Sequence, residues 1–320
     1  MKIPLLLLFL VTSAVTFAQN YPTKAVRVIE PFGAGGGVDT IARTVSPRLS
    51  DLWGQAVTVE NHPGKGSTVA PSLVAKSPAD GYTLLVDSSG LAYSAAFMKN
   101  LPYDPLKDFI PVAPLTSQPY VLVTSKSSGI TTVGELIARA KAKPGGLRFS
   151  SAGVGSGNYV GIEEFNLEAG IRAVHVPPGP GDAIGDVIAN VVAGRIDYLI
   201  APIPLALEHI RAGRLLAIGV STKKRSRLLP EVPAIAEAGV PGFDYPIWYG
   251  VWVPAGTPTA VVEKLAQYIE RAMATADLRD SLAKHGADPM IMTQPEFARF
   301  VLSESESAER IIKTAGIKPQ

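Results

Sequence analysis

Four loops made almost entirely of small residues follow apolar segments and stand where helices begin. The backbone amides of such loops are not covered by side chains, and amides at the start of a helix bind anions. The helix dipole adds roughly 0.3–1 kcal/mol at an exposed site and up to about 2 kcal/mol when the site is partly buried. Together the loops predict a site for a carboxylate. They read FGAGGGVD (32–39), DSSGLAY (87–93), SSAGVGSGNY (150–159) and PPGPGDA (177–183).

A nucleotide phosphate is a second anion that a glycine-rich loop can hold. The stretch GAGGGV lacks the last glycine of the dinucleotide pattern, because Val38 stands in its place. No Walker lysine and serine follow, and Glu60 is the only acid near the position that would bind a ribose. For a single loop, a tight turn without a ligand remains an equal alternative. Four such loops favour the binding site.

Catalytic and metal-binding motifs are not found. GVGSGN differs from the nucleophile elbow G-x-S-x-G, and STKK (221–224) has none of its partner motifs. The histidines are widely separated and none is four residues from another, so we predict no metal and no cofactor. His175 ends a strand near the expected cleft, where we predict a buried imidazole with a hydrogen-bond partner. The other three are His62, His209 and His285.

The elements that must position these loops alternate between strand and helix. VRVIEPF (26–32) reads as a buried strand, and Asp39 is placed to cap the helix that follows. Pro47 should kink or shorten that helix. The same succession repeats along the chain to LLAIGVS (215–221), which indicates an α/β fold with a mostly parallel sheet and helices on both faces. Ligands gather at the carboxyl ends of the strands in such sheets.

The segment FDYPIWYGVWVPAG (243–256) breaks this succession, and only helices are predicted after it. Helices without a sheet of their own must pack on a sheet formed earlier. We therefore predict two lobes, residues 19–122 plus 246–320 and residues 123–245, joined by two extended crossings that act as a hinge. Aromatic residues of the second crossing serve hinge and core packing, with Trp248 and Tyr249 as candidates to face the cleft.

The N-terminal residues 1–18 have the features of a secretory signal peptide. Lys2 precedes an apolar run that is too short for a membrane span, and small residues lead to a cleavage site near Ala18. We predict an exported, periplasmic and monomeric protein. The chain has no cysteine, so the apolar core, drawn from the 47% of residues that are hydrophobic, must hold it together. The net charge of +2 without a basic cluster excludes nucleic-acid binding.

An ordered series of motifs resembles one family along nearly the whole chain after the signal. The chain is similar to the extracytoplasmic substrate-binding proteins of tripartite tricarboxylate transporters, the Bug or TctC-type receptors. The resemblance implies a type II periplasmic-binding-protein fold with two Rossmann-like lobes, closure in the manner of a Venus flytrap and delivery of an organic acid to a membrane permease. The motifs are YPTKAVRVIEPFGAGGGVDTIAR, VTVENHPGKGSTVA, AKSPADGYTLLV, LPYDPLKDFIPV, LPEVPAIAEAGVPGF, VWVPAGTP and AGIKPQ.

The resemblance also implies which residues bind the ligand. One carboxylate is expected at the first loop, held largely by backbone amides and water, and the second lobe is expected to contribute its own loop. The far end of the ligand is expected at the fourth loop. The implied residues are Phe32, Ala34, Gly35, Gly36, Asp39, Ser88, Ser89, Gly90, Ser151, Ala152, Gly155, Ser156, Asn158, Pro178, Gly179 and Asp182.

Two departures from the family pattern bear on the ligand. Many relatives have VPYKG where this chain has VPPGPGD (176–182), and many have Phe-Asp-Asn where it has Ile200, Ala201 and Pro202. Polar groups are lost at both places, while Tyr93 and Tyr159 stand near the other loops. The distal pocket is therefore expected to favour an aromatic or longer apolar acid, or a dicarboxylic acid, over citrate.

Two other functions remain open from the sequence. An exported sensor subunit would use the same closure but present the bound acid to a receptor kinase. An exported α/β hydrolase would need a Ser–His–acid set at the cleft, and no motif supplies one. The sequence favours a binding protein that is not an enzyme.

Overall fold

The computed structural model describes residues 21–64, 67–179, 184–317 and 319. The predicted signal peptide and Asp182 lie outside these ranges. The strands are β1 (Val26–Glu30), β2 (Val57–Asn61), β3 (Thr83–Ser88), β4 (Phe109–Ser125), β5 (Arg148–Phe149), β6 (Val174–His175), β7 (Tyr198–Pro202), β8 (Leu215–Val220), β9 (Pro246–Pro254) and β10 (Asp288–Pro289). The helices are α1 (Gly37–Trp53), α2 (Val69–Ala75), α3 (Gly90–Phe97), α4 (Val133–Ala142), α5 (Gly157–Glu168), α6 (Ile184–Val192), α7 (Ile203–Arg211), α8 (Thr259–Met273), α9 (Ala276–Ala283) and α10 (Gln294–Ala315).

The first sheet has the strand order β2–β1–β3–β9–β4, and β10 pairs with β4. β1 is parallel to β2 and β3, whereas β9 is antiparallel to β3 and β4. Every residue of β3 is buried, as expected of a strand covered by helices on both faces. Because β1 and β3 are parallel, the loops that follow Glu30 and Ser88 emerge at the same edge of the sheet.

The second sheet is built around the end of β4. That end pairs antiparallel with both β7 and β8, and β5 pairs parallel with β6 and β7. The parallel strands end at Phe149, His175 and Pro202. Their following loops therefore share one edge, as the loops of the first sheet do.

The strand β4 passes from one sheet into the other without interruption. Its residues 109–119 pair with β9 in the first sheet, and its residues 120–124 pair with β7 in the second. β9 is the second long strand at this junction, and β4 shows two register shifts against it. These two strands are the predicted crossings. The exact lobe limits, residues 19–122 plus 246–320 and 123–245, stay a prediction.

Three expectations from the sequence are wrong in detail. The strands are not mostly parallel, because β4 and β9 run antiparallel to their neighbours. Asp39 is not the helix cap: Gly36 holds that position, and Asp39 lies inside the first turn of α1. Pro47 does not shorten α1, which continues to Trp53 because its buried face spans the proline, while a kink at Pro47 stays a prediction. Pro47 has no backbone N–H to donate within the helix, and the packing of the buried face of α1 offsets the loss of that one hydrogen bond.

Two kinds of feature are absent from the described ranges. None of the helices there is both long enough and apolar enough to cross a bilayer. No three His, Asp or Glu residues of the same ranges converge on a point where a metal ion would be held.

Candidate functional site

The first glycine-rich loop connects β1 to α1 and leaves the start of the helix uncapped. Gly35 has a φ of 82°, a left-handed conformation that suits glycine. The cap residue Gly36 has no side chain, so no side chain occupies the amides of the first turn. Phe32 N donates to Glu30 Oε2 at 2.9 Å, and Gly35 N donates to Asp39 Oδ2 at 2.9 Å. The amides best placed for an anion are therefore those of the first turn of α1.

Asn61, at the end of β2, ties together the acids beneath this loop. Its amide donates to Glu30 and, at 2.8 Å, to Asp39 Oδ1. Arg43 Nε donates to the same Asp39 oxygen at 2.8 Å. Burial opposes ionisation of Asp39, but the hydrogen bonds from Gly35 and Asn61 and the charge of Arg43 together lower its pKa. Asp39 is therefore a fixed anion that shapes the loop.

Two further carboxyl groups lie buried under the site. Glu30 ends β1 with no exposed surface, and Asp87 lies near the end of β3 with 3% exposed. Burial raises the pKa of Glu30 to about 7 and raises the pKa of Asp87 well above its ordinary value, and the two groups also repel each other. Protonation of these acids reduces the negative charge beneath the loop, which favours an anionic ligand above it.

Replacing Glu30 with glutamine is expected to flatten the pH dependence of stability. The pKa of Glu30 is higher in the folded protein, about 7, than its ordinary value of 4.5. Its contribution is thus fully present below pH 4.5 and is lost as pH rises through 7, at most about 3 kcal/mol. Denaturant unfolding of the wild type and Glu30→Gln at pH 5, 6, 7 and 8 measures the slope of the unfolding free energy against pH.

The exposed Glu306, on α10, supplies the control for this measurement. Glu306→Gln should keep the full slope. Glu164→Gln should remove a separate part of it, because burial also raises the pKa of Glu164 to about 7. A wild-type slope retained in Glu30→Gln would contradict the assignment.

The second and third loops, which begin α3 and α5, touch each other across the cleft between the sheets. A Cβ atom added to Gly90 would lie 3.5 Å from Gly155 O and 3.7 Å from Gly157 N. A Cβ atom added to Gly157 would lie 3.0 Å from Ser89 Oγ. Neither α3 nor α5 has a side-chain cap, in contrast to α4, where Thr132 caps Glu135 N. Glycines thus let two uncapped helix starts from opposite sheets meet.

Side chains of the third loop are engaged within their own lobe. Ser151 Oγ lies 3.0 Å from His175 Nε2 and accepts from Gly153 N at 3.1 Å. Asn158 Oδ1 accepts from Ser156 Oγ at 2.8 Å and from Ala152 N at 3.2 Å. These predicted residues hold the shape of the loop. Whether they also contact a ligand stays a prediction.

His175 is half-buried and packs on aromatic rings, so the buried imidazole that the sequence predicts is found only in part. Its ring centre lies 4.9 Å from that of Tyr159 and 5.1 Å from that of Phe149. Burial lowers its pKa to about 4, so the ring is neutral at pH 7. Among the described residues no carboxylate is hydrogen-bonded to it, and its partner Ser151 is fully buried. The two side chains therefore form a neutral, largely buried contact.

A narrow cavity, open to solvent, lies between the two sheets. We call it the interlobe cavity. Residues that the sequence analysis did not select supply its polar side chains, and the start of α7 supplies an apolar wall. It adjoins Gly35 but not the contact between the second and third loops. Its lining residues are Gly35, Gly37, Thr40, Ile41, Gln118, Pro202, Pro204, Leu205 and His285.

The remaining predicted positions divide between the cleft and the core. Pro178 is half-buried and Gly179 is exposed, just beyond β6. Trp248 does not face the cleft: it is 1% exposed, packs on Phe297 and Phe300, and donates to Glu304. The ring of Tyr249 is buried too, but its hydroxyl lies 2.5 Å from where a Cβ atom of Gly37 would stand.

Two α/β units joined by two strands, with uncapped helix starts facing one cleft, define a two-lobed receptor of the periplasmic-binding-protein type. The family model "Tripartite tricarboxylate transporter family receptor" matches residues 41–317. The chain belongs to this receptor family. It is 35% identical over 304 residues to BugT of Bordetella pertussis, covering 94% of this chain and 92% of that one. It is 37% identical over 306 residues to a protein from the tcbD-tcbE intergenic region of Pseudomonas sp. strain P51, covering 94% and 90%.

Solved structures of the family share the architecture. "R. palustris Rpa4515 with adipate" is similar with a TM-score of 0.86 and 32% identity, covering 94% of this chain and all of that one. MatC from Rhodopseudomonas palustris, with bound malate, has a TM-score of 0.81 and 31% identity over 91% of this chain and all of its own. The periplasmic binding protein BugD has a TM-score of 0.83 and 25% identity, covering 94% and 100%.

Proposed function

We propose that this receptor captures a small organic carboxylate between its lobes and delivers it to a permease of the tripartite tricarboxylate type. The observation that carries the proposal is that uncapped helix starts from both sheets lie between the lobes: α1 adjoins the interlobe cavity, and α3 and α5 meet across the cleft. Amides of this kind suit a carboxylate without any cofactor. Adipate and malate in the two related structures support the same class of ligand.

Closure follows from the same geometry. The crossings β4 and β9 act as the hinge, and the ligand favours the closed state because only that state brings both sets of amides onto it. The short distances from Gly90 to Gly155 and Gly157 support this proposal of closure. The predicted ligand-binding residues of the first three loops would contribute mainly through this backbone surface.

The ligand is an aromatic or dicarboxylic acid in preference to citrate. Pro202, Pro204, Leu205 and Ile41 give the interlobe cavity an apolar wall where many relatives are expected to be polar. Such a wall suits an apolar ligand body and leaves a third carboxylate without donors.

The site of action is the periplasm, after cleavage of the signal peptide near Ala18, and the receptor works as a monomer. A sensor kinase is the alternative partner, because it would recognise the same closed form. Co-purification of the receptor with a membrane partner in the presence of ligand distinguishes the two.

Calorimetry with a panel of acids tests the proposed function. We expect measurable heat of binding for at least one aromatic or dicarboxylic acid and none for citrate. The Kd should be near micromolar, which corresponds to a binding free energy of about −8 kcal/mol. Native mass spectrometry of the freshly purified protein should show a retained acid. Stabilisation by citrate alone would contradict the ligand class, and no heat with any acid would contradict the function.

A further inference from the structure

Gln118 brings an amide group to the wall of the interlobe cavity from the crossing strand β4. It stands one residue before Pro119, the last position at which β4 pairs with β9, so it lies close to the junction of the two sheets. Only 5% of the residue is exposed. Gln118 is thus a buried polar side chain in the wall of a cavity that is otherwise bounded mainly by apolar groups and glycines.

The two ends of this amide differ in their partners. Gln118 Nε2 donates to Tyr249 Oη at 3.1 Å, which holds the amide plane in place. Gln118 Oε1 is buried and has no hydrogen-bond partner among the described residues. An unpaired buried acceptor costs roughly 1–3 kcal/mol, so a group that supplies a donor at this point gains that amount.

The chemistry of the missing partner follows from the acceptor. A carboxylate has no proton to give and would be repelled by Oε1, whereas a hydroxyl group donates one hydrogen bond without a charge. The first turn of α1, which includes the cavity residue Gly37, supplies amide donors to the same cavity. An acid whose hydroxyl group stands close to its carboxylate satisfies the amides and the Gln118 oxygen at once.

We propose that Gln118 selects hydroxylated carboxylic acids by accepting a hydrogen bond from the ligand's hydroxyl group. This inference rests on the proposed function, because it assumes that an acid occupies the cleft. It refines the ligand class: a hydroxy acid, aromatic or dicarboxylic, binds more tightly than the same acid without the hydroxyl group.

Matched ligand pairs and variants test the selectivity. Malate and succinate differ by one hydroxyl group, as do mandelate and phenylacetate. For at least one pair, calorimetry should show that the wild type binds the hydroxylated acid roughly tenfold more tightly than the acid without the hydroxyl group. Gln118→Met keeps the length of the side chain but removes both polar atoms. In this variant the ratio of the two affinities should fall to about one.

Two variants separate selectivity from general damage. Gln118→Glu keeps an acceptor but adds negative charge, so all acids should bind more weakly while the hydroxyl preference survives. Thr116→Val is the control on the same strand: Thr116 Oγ1 is also buried and unpartnered among the described residues, but Thr116 does not line the interlobe cavity. The ratio of affinities for the two members of each ligand pair in Thr116→Val should equal that of the wild type.

The outcomes distinguish this inference from the proposed function. Binding of acids with no preference in the wild type, or a preference that survives in Gln118→Met, would overturn the role of Gln118 and leave the receptor function standing. Loss of the preference in Thr116→Val as well would also overturn it, since the effect would then belong to the strand. No binding of any acid would overturn the proposed function itself.

Discussion

Replacing Gly90 with valine is expected to weaken ligand binding by about 100-fold, equivalent to about 2.7 kcal/mol. Gly90 begins α3, the helix that follows β3 of the first sheet. It faces Gly155 O and Gly157 N at the start of α5, the helix that follows β5 of the second sheet. A Cβ atom alone would lie 3.5 Å and 3.7 Å from these two backbone atoms, and 3.3 Å from Ser88 Oγ in its own loop, which must shift slightly. The two methyl groups of valine would enter the opposing backbone, which cannot retreat unless the lobes separate. The fraction of closed receptor falls, and the apparent affinity falls with it.

The expected dependence on side-chain size makes this prediction specific. Gly90→Ala should bind within about threefold of the wild type, because its Cβ makes ordinary van der Waals contact with the opposite helix start and requires only a small shift of the Ser88 hydroxyl. Gly134→Val is the control for a valine in the first turn of a helix, since the nearest atom to an added Cβ there is Thr132 Oγ1 at 3.9 Å. Calorimetry measures affinity, and small-angle scattering measures the ligand-induced compaction. Unchanged affinity in Gly90→Val would show that contact of these helix starts is not needed.

Replacing Glu304 with alanine is expected to lower the free energy of unfolding by about 3–5 kcal/mol. Glu304 Oε2 accepts from Tyr93 Oη at 2.6 Å and from Trp248 Nε1 at 2.8 Å. Tyr93 and Trp248 are 3% and 1% exposed, so Trp248 Nε1 would be left unpaired away from water and Tyr93 would keep only its interaction with Tyr245. Each unpaired buried donor costs roughly 1–3 kcal/mol, and the charged acceptor adds to the loss.

Denaturant unfolding of three variants checks this expectation. Glu304→Gln retains an acceptor oxygen and should lose clearly less than Glu304→Ala. Glu306→Ala, two residues along the same helix and exposed, should lie within about 0.5 kcal/mol of the wild type. A loss in Glu304→Ala no larger than that in Glu306→Ala would contradict the role of the carboxylate. Because Tyr93 belongs to α3, the same variant should also disturb the loop at Gly90.

Elements with local signals at both ends were predictable from the sequence. α10 runs from Gln294 to Ala315 because Thr293 and Glu296 form a capping box and Gly316 adopts a left-handed conformation after the last turn. The small-residue loops were also predictable, since glycine and serine are concentrated in the segments that connect a strand to the next helix.

Elements that depend on tertiary packing were not predictable. α3 has buried residues on all sides, among them Leu91, Ala92 and Phe97, so it shows no helical period. The first half of β4 contains prolines, which argue against a strand until its irregular pairing with β9 is known. Gln118 was missed for the same reason: its importance comes from Tyr249 and from the cavity, both supplied by distant segments.

The connectivity of the first sheet has a consequence for how the chain matures. β3 pairs with β9, as in Leu85 opposite Trp252, so the central partner of the N-terminal strands is made only in the last third of the chain. Until that segment emerges, the edge of β3 is unpaired and the N-terminal unit is incomplete. The second sheet needs only a contiguous stretch and is expected to assemble earlier, because local contacts cost less chain entropy. Late completion therefore keeps the N-terminal unit from folding fully until the last third of the chain is available to pair with it.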